Sequence, residues 1–161
     1  MKSLKRNFLK LFGLSFLLTI TLPYNLLYAA TKKLINPNLT DEQKKIMFND
    51  STERPFTSPL NYEKRKGDYL CVGWGTKLFE SKSKYESGSG WPSFFEALPD
   101  VFETKVDNLI GSPRTEYHCK KCGGHHGHIF NDGPKPTGKR YCNNGLCLIF
   151  VPSKKWVKLL I

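Results

Sequence analysis

The rhythm of polar and apolar positions divides the chain into three stretches. A basic start, MKSLKRNFLK, precedes a mostly apolar run, LFGLSFLLTITLPYNLLYAA, broken by Pro23 and Asn25. Next, NLTDEQKKIMFND predicts a short helix. Thr40 caps it and Gln43, three residues later, closes a capping box. Asp41 and Glu42 lie in the first turn, where the helix dipole favours acids, and Ile46 and Met47 offer an apolar side. STERPFTSPL, with Pro55 and Pro59, is extended or turning.

From Asp68 onward short apolar-alternating runs are separated by glycine-rich turns. DYLCVGW and TKLF read as strands. ESGSGWPSFFEAL reads as a tight turn leading into a short helical piece. RTEYHC and HIFND read as extended, and RYCNN and LCLIFVP as a pair of strands separated by a glycine. Many short runs, with 13 glycines and 10 prolines in 161 residues, predict one mainly β domain with few short helices near its N-terminal side.

The amino-terminal order of positive start, apolar centre and small residues at Ala29 and Ala30 predicts an export signal over residues 1–30, with a single domain over 31–161. KRNFLK resembles a twin-arginine export motif with lysine in the first basic place. The periplasm or cell envelope is the expected location, and an uncleaved membrane anchor is the alternative. The chain carries 25 Lys+Arg against 14 Asp+Glu. Four of the basic residues and no acid fall within residues 1–30, so the remainder carries +7. Those positives are scattered, as in Lys64 to Lys66 and Lys120 to Lys121, with no basic stripe interleaved with aromatics. Nucleic acid is therefore not an expected partner.

Five cysteines, Cys71, Cys119, Cys122, Cys142 and Cys147, cannot all pair. An odd count in an exported chain points to a reactive thiol. Cys142 has the best local setting for one. On a strand, Arg140 shares its face, and a guanidinium favours the thiolate. Asn144 falls on the same face and can donate to a reacting oxygen. Packing in a core is the competing reading. In HCKKCGGHHGHIFNDG, Cys119 and Cys122 have the spacing of half a zinc knuckle. The nearest second half, CVGW, offers Cys71 but has Trp74 where another cysteine would complete it. A redox pair or a disulfide are the alternatives. His125 and His128, three apart in a Gly-rich turn, are candidate proton carriers or metal ligands, with Asp132 beyond them. His126 reads as a bystander. Trp91, held between Gly90 and Pro92, can line a pocket for a methyl or thioether group, or serve as a core tryptophan.

Together LTDEQ, TERPF, SGSGWPSF, TEYHCKKC, HHGHIFNDGPKPTGKRYC and NNGLCLIF, from about Leu39 to Phe150, resemble the methionine-(R)-sulfoxide reductases. The resemblance implies two antiparallel sheets. It also implies Cys142 as nucleophile, Arg140 as its cation, and His125, His128 and Asp132 as the acid-base group. Asn144 follows the nucleophile, and Trp91 holds the substrate methyl. The substrate would be methionine-(R)-sulfoxide in proteins, the reductant a thioredoxin-like thiol, and the enzyme a monomer needing no cofactor for its chemistry. Ser89 stands where many relatives carry a resolving cysteine, which leaves Cys71 as a candidate. A structural zinc on Cys71, Cys119 and Cys122 lacks its fourth thiol at Trp74, so occupancy is open, with His118, Asp68 or water as substitutes. The alternative function is an inactive zinc-ribbon-like binding module on the same scaffold.

Overall fold

The computed structural model describes residues 36–49, 51–108 and 111–153. The export signal expected over residues 1–30 lies outside them. No helix among the described residues is long and apolar enough to cross a membrane.

One α-helix, α1 (Asp41–Phe48), opens the described chain. Thr40 Oγ1 accepts from Gln43 N while Gln43 Oε1 accepts from Thr40 N, so the capping box forms as its sequence dictates. Ile46 and Met47 are buried where the helix packs on the central sheet.

Nine strands follow: β1 (Gly67–Cys71), β2 (Lys77–Glu80), β3 (Lys84–Tyr85), β4 (Ser93–Phe94), β5 (Phe102–Asp107), β6 (Arg114–Cys119), β7 (His125–Phe130), β8 (Arg140–Asn143) and β9 (Leu148–Pro152). They form two antiparallel sheets, one ordered β2-β1-β9 and the other β3-β4-β8-β7-β6-β5. Large aromatics fill the core. Tyr69, Phe79, Phe94 and Tyr117 are fully buried. Phe79 stacks on Phe94 with ring centroids 4.0 Å apart, and Tyr69 meets Phe94 edge-on at 4.9 Å. These contacts join β1 and β2 of the small sheet to β4 of the large one.

The structure departs from the sequence reading at three places. SFFEAL forms no helix. Ser93 and Phe94 pair instead with Cys142 and Tyr141, because burying Phe94 outweighs local preference. RYCNN and LCLIFVP are not partners. A 3-10 turn over Gly145–Cys147 intervenes, and β8 and β9 enter different sheets. Strand β5 has no counterpart in the sequence reading. Its central residues Thr104, Lys105 and Val106 are exposed, so as an edge strand it lacks the alternation that would announce it.

Candidate active site

Strand β8 lies between β4 and β7 in the large sheet. Its period of two sends Tyr141 and Asn143 to one face, toward the core, and Arg140 and Cys142 to the other. Cys142 is in register with His128 on β7 and Ser93 on β4. Directly opposed residues of an antiparallel pair have Cβ atoms about 4.5–5.5 Å apart. The thiol is thus flanked on both sides by polar side chains.

His125 and His128 lie on strand β7, not in a turn. Three residues apart, they should face opposite ways. A bulge corrects this. His118 pairs with His125 while Tyr117 pairs with Gly127, so His126 is the extra residue on β7. The shift brings both His125 and His128 to the Cys142 face, with ring centroids 5.5 Å apart. It drops His126 into the core, where it is fully buried. Gly127 then runs so close to β8 that a Cβ there would sit 1.9 Å from the Cys142 carbonyl oxygen.

An acid–histidine ladder crosses this face. Asp107 accepts from Arg114 and lies 2.8 Å from His128 Nε2. Glu116 lies 2.5 Å from His125 Nδ1, 2.9 Å from His118 Nε2 and 3.1 Å from Lys105 Nζ. Burial works to raise the Glu116 pKa, but Lys105 and the two histidines together bring it below the ordinary carboxylate range. Burial lowers the His125 pKa against the pull of Glu116. His128 lines the Cys142 cleft. His125, only 5 % exposed at its side chain, stands behind it.

Trp91, Thr52, Phe130 and Arg114 complete the cleft around Cys142 and His128. Trp91 is clamped, its Nε1 donating to the Glu53 carbonyl at 2.9 Å. Glu53 in turn is tied to the segment after Cys142. Its carboxylate accepts from Gly145 N and Leu146 N at 2.6 and 3.3 Å, and its N–H donates to Asn144 Oδ1 at 2.9 Å. Asn144 also donates from Nδ2 to the His126 carbonyl. The amide expected to meet a reacting oxygen is engaged on both sides as a brace. Glu53→Ala should cost about 1–3 kcal/mol, the scale of leaving buried donors unpaired. An unchanged urea midpoint would remove Glu53 from this role.

Arg140 does not act on the thiol alone. It donates twice to Asp132, from Nε and from a terminal nitrogen, each at 2.8 Å, and lies over the Phe130 ring at 4.2 Å. Burial therefore holds the Cys142 thiol above its ordinary value, although Ser89, whose hydroxyl is 3.9 Å away, and Arg140 pull it down. The expectation of a net lowering by Arg140 is corrected by this burial, and Asp132 adds to the rise. Asp132→Asn should remove the opposing charge and free Arg140. The thiolate would then form at lower pH. The pH midpoint of iodoacetamide labelling at Cys142 should move down in that variant and up in Arg140→Met. Movement of both in one direction would contradict the assignment.

The other thiols are distant in role. Cys71, Cys119 and Cys122 are buried, unbridged, and have sulfurs within 4.8 Å of one another. Hydrogen bonds from Cys122 and Cys71 hold Cys119 far below an ordinary thiol pKa, and Cys71 is pushed up correspondingly. This donor set can hold a metal ion. The polar neighbours of Cys71 Sγ are the Cys119 and Cys122 sulfurs and His126 Nε2, whereas those of Cys142 Sγ are the Ser89 hydroxyl and the Arg140 guanidinium. The structure thus does not bring Cys71 to Cys142, where a resolving thiol would have to reach. Cys147 is fully buried, and burial raises its pKa.

The SelR domain family matches residues 39–152, the stretch that builds both sheets and this cleft. The chain belongs to the methionine-(R)-sulfoxide reductase family. Its similarity to curated members is high. Peptide methionine sulfoxide reductase MsrB of Leptospira interrogans is 51% identical over 113 residues, covering 70% of this chain and 86% of the relative. MsrB of Methanosarcina barkeri is 48% identical over 113 residues, covering 70% and 80%. MsrB of Agrobacterium fabrum is 47% identical over 115 residues, covering 71% and 85%.

In this reductase fold, the sequence points to none of Glu53, Asp107, Glu116, Ser87 and Ser93 as site residues, and to Ser89 only as the place of a missing cysteine. The serines form a chain, Ser87 Oγ lying 2.8 Å from Ser89 Oγ and 2.7 Å from Ser93 Oγ. The acid at Glu116 was readable as the second-neighbour residue of His118 on one strand. Asp107 carries no such signal, because β5 lacks the polar–apolar alternation of a half-buried strand.

Proposed function

We propose that this chain reduces methionine-(R)-sulfoxide to methionine with Cys142 as nucleophile. The observation that carries the mechanism is the register of β7, β8 and β4, which sets Cys142 between His128 and the serine chain. The Cys142 thiolate attacks the sulfoxide sulfur. With one proton taken up, oxygen passes to Cys142, leaving Cys142 sulfenic acid and the thioether. Cys142 is oxidised by two electrons and the substrate sulfur reduced by two. His128, when protonated, keeps Nε2–H on Asp107 and has Nδ1–H for the departing oxygen. His125, Glu116 and Asp132 with Arg140 set the surrounding charge, and Trp91 with Phe130 receives the methyl group.

Regeneration needs two thiols from outside. The first condenses with the sulfenic acid, releasing water and forming a mixed disulfide. The second opens it and restores the Cys142 thiol. A thioredoxin-like dithiol fits, because a hydroxyl, that of Ser89, occupies the place beside Cys142. Protein-bound substrate is favoured by an apolar groove that shares Trp91 with the cleft and bears Phe56 and Tyr62, 61% and 67% exposed. Peptide flanking the sulfoxide is its occupant. Curated relatives are named for peptide substrates.

The three buried thiols favour a structural zinc, remote from the chemistry. Zinc there would tie the β1–β2 turn to the β6–β7 turn. An inactive zinc-ribbon-like module is the weaker reading. The residues of the cleft are assembled, while the cysteine set is short by one. The basic and apolar amino-terminal sequence favours export to the periplasm or envelope. Recovery of the chain from the cytoplasm with residues 1–30 intact would overturn that. For function, matched R and S sulfoxides of a methionine-containing peptide should be assayed side by side with a dithiol. Turnover of R alone supports the reading, and turnover of neither, or of S alone, overturns it.

A further inference from the structure

The three-thiol cluster has a nitrogen donor beside it. His126 is fully buried, and its Nε2 lies 3.4 Å from Cys71 Sγ. Cys71 Sγ lies 3.6 Å from Cys122 Sγ. Zinc bonds of about 2.3 Å to sulfur and 2.0–2.1 Å to imidazole set the edges of a tetrahedral site at roughly 3.8 Å between sulfurs and about 3.6 Å from sulfur to nitrogen. The two contacts fall close to those edges.

The other substitutes for a fourth ligand are committed elsewhere. His118 faces away from the thiols, with Nε2 at Glu116 and Nδ1 at the Gly123 carbonyl. Asp68 pairs with Lys77 at 3.0 Å. Trp74 packs partly buried against the core and has no atom suited to zinc. His126 reaches the cluster because it is the bulged residue of β7. Its Nδ1 lies 3.5 Å from the Asn143 amide, whose Oδ1 is buried without a partner. As placed, the same amide's Nδ2 donates to Tyr117 Oη at 2.8 Å; exchanging its oxygen and nitrogen sets an acceptor against both Tyr117 Oη and the His126 Nδ1–H, and leaves the Nε2 lone pair toward the sulfurs.

We propose that His126 is the fourth ligand of a Cys3His zinc site with Cys71, Cys119 and Cys122, in place of the thiol missing at Trp74. This rests on the zinc reading above. Of the three sulfurs, which lie within 4.8 Å of one another, Nε2 contacts Cys71 alone, so ligation requires the imidazole to move toward the other two. Binding converts the thiols to thiolates with release of their protons and changes no oxidation state. The loaded site has a net charge of about −1, from three thiolates and one divalent ion. Asn143, beside the nucleophile in sequence, then becomes the hydrogen-bond partner of a metal ligand.

The full chain, purified with zinc present, should hold about one zinc per chain. X-ray absorption at the zinc edge should show three sulfurs and one nitrogen, with the outer-shell scattering of an imidazole. His126→Leu should weaken zinc retention against a chelator by at least ~10²-fold. Adding Trp74→Cys to that variant should restore it with a four-sulfur signature. The absorption measurement uses the unmodified chain, so a variant that fails to fold does not remove the test. Zinc bound by three sulfurs without imidazole scattering overturns the role of His126 while leaving the zinc reading intact. A chain that holds no zinc, or that carries a Cys119–Cys122 disulfide instead, overturns both.

Discussion

Cys142→Ser will lower turnover of methionine-(R)-sulfoxide by at least ~10³-fold, the scale seen when a nucleophile is removed. The substitution exchanges one chalcogen for another at a half-buried position. The β8 register with His128 and Ser93 should persist, and the circular dichroism and thermal midpoint should stay near those of the parent chain. A hydroxyl at this place cannot do the chemistry. It is not ionised near neutral pH, and taking up the substrate oxygen would make a hydroperoxide where the thiol makes a sulfenic acid. The assay is initial rate with an external dithiol, alongside a sulfenic-acid trap. Trapped adduct should be found at Cys142 in the parent chain and be absent from the variant. Rates within about tenfold of the parent would remove Cys142 from the reaction.

His128→Ala will lower kcat by ~10²–10⁴-fold, the usual contribution of a positioned acid. The argument is geometric. His128 stands opposite Cys142 across the strand pair, lines the same cleft, and has Asp107 on Nε2 at 2.8 Å. Losing the ring removes the proton for the leaving oxygen but leaves the thiol and Trp91 in place. Alkylation of Cys142 should therefore change little while turnover collapses, which separates proton donation from thiol activation. Asp107→Asn should move kcat in the same direction by less, since the ring remains. A kcat within about threefold of the parent in His128→Ala would assign the proton to another donor.

The parts of the fold readable in sequence are those with local causes. The Thr40 capping box forms because its two hydrogen bonds join residues three apart. RTEYHC is a strand with the bounds its alternation suggests, Arg114–Cys119. Where tertiary pairing outweighed local preference, the reading failed, as at Ser93–Phe94 and between β8 and β9. The same division runs through the site. Arg140 and Cys142 share a face because a strand has period two. The direction of the Cys142 pKa shift does not follow from that period. It depends on burial and on Asp132 taking up the guanidinium.

By itself, the sequence determined the family, the mainly β class, and the two places, Ser89 and Trp74, where a cysteine is missing, and it singled out Cys142 among the five thiols. These follow from residue types at fixed spacings, which survive without coordinates. Only the tertiary structure decided which way the histidines point. A single extra residue in β7 brings His125 and His128 to the Cys142 face and turns His126 from a bystander into the neighbour of Cys71. Register is a property of two strands together, so the consequence of that bulge could not be read from either strand alone.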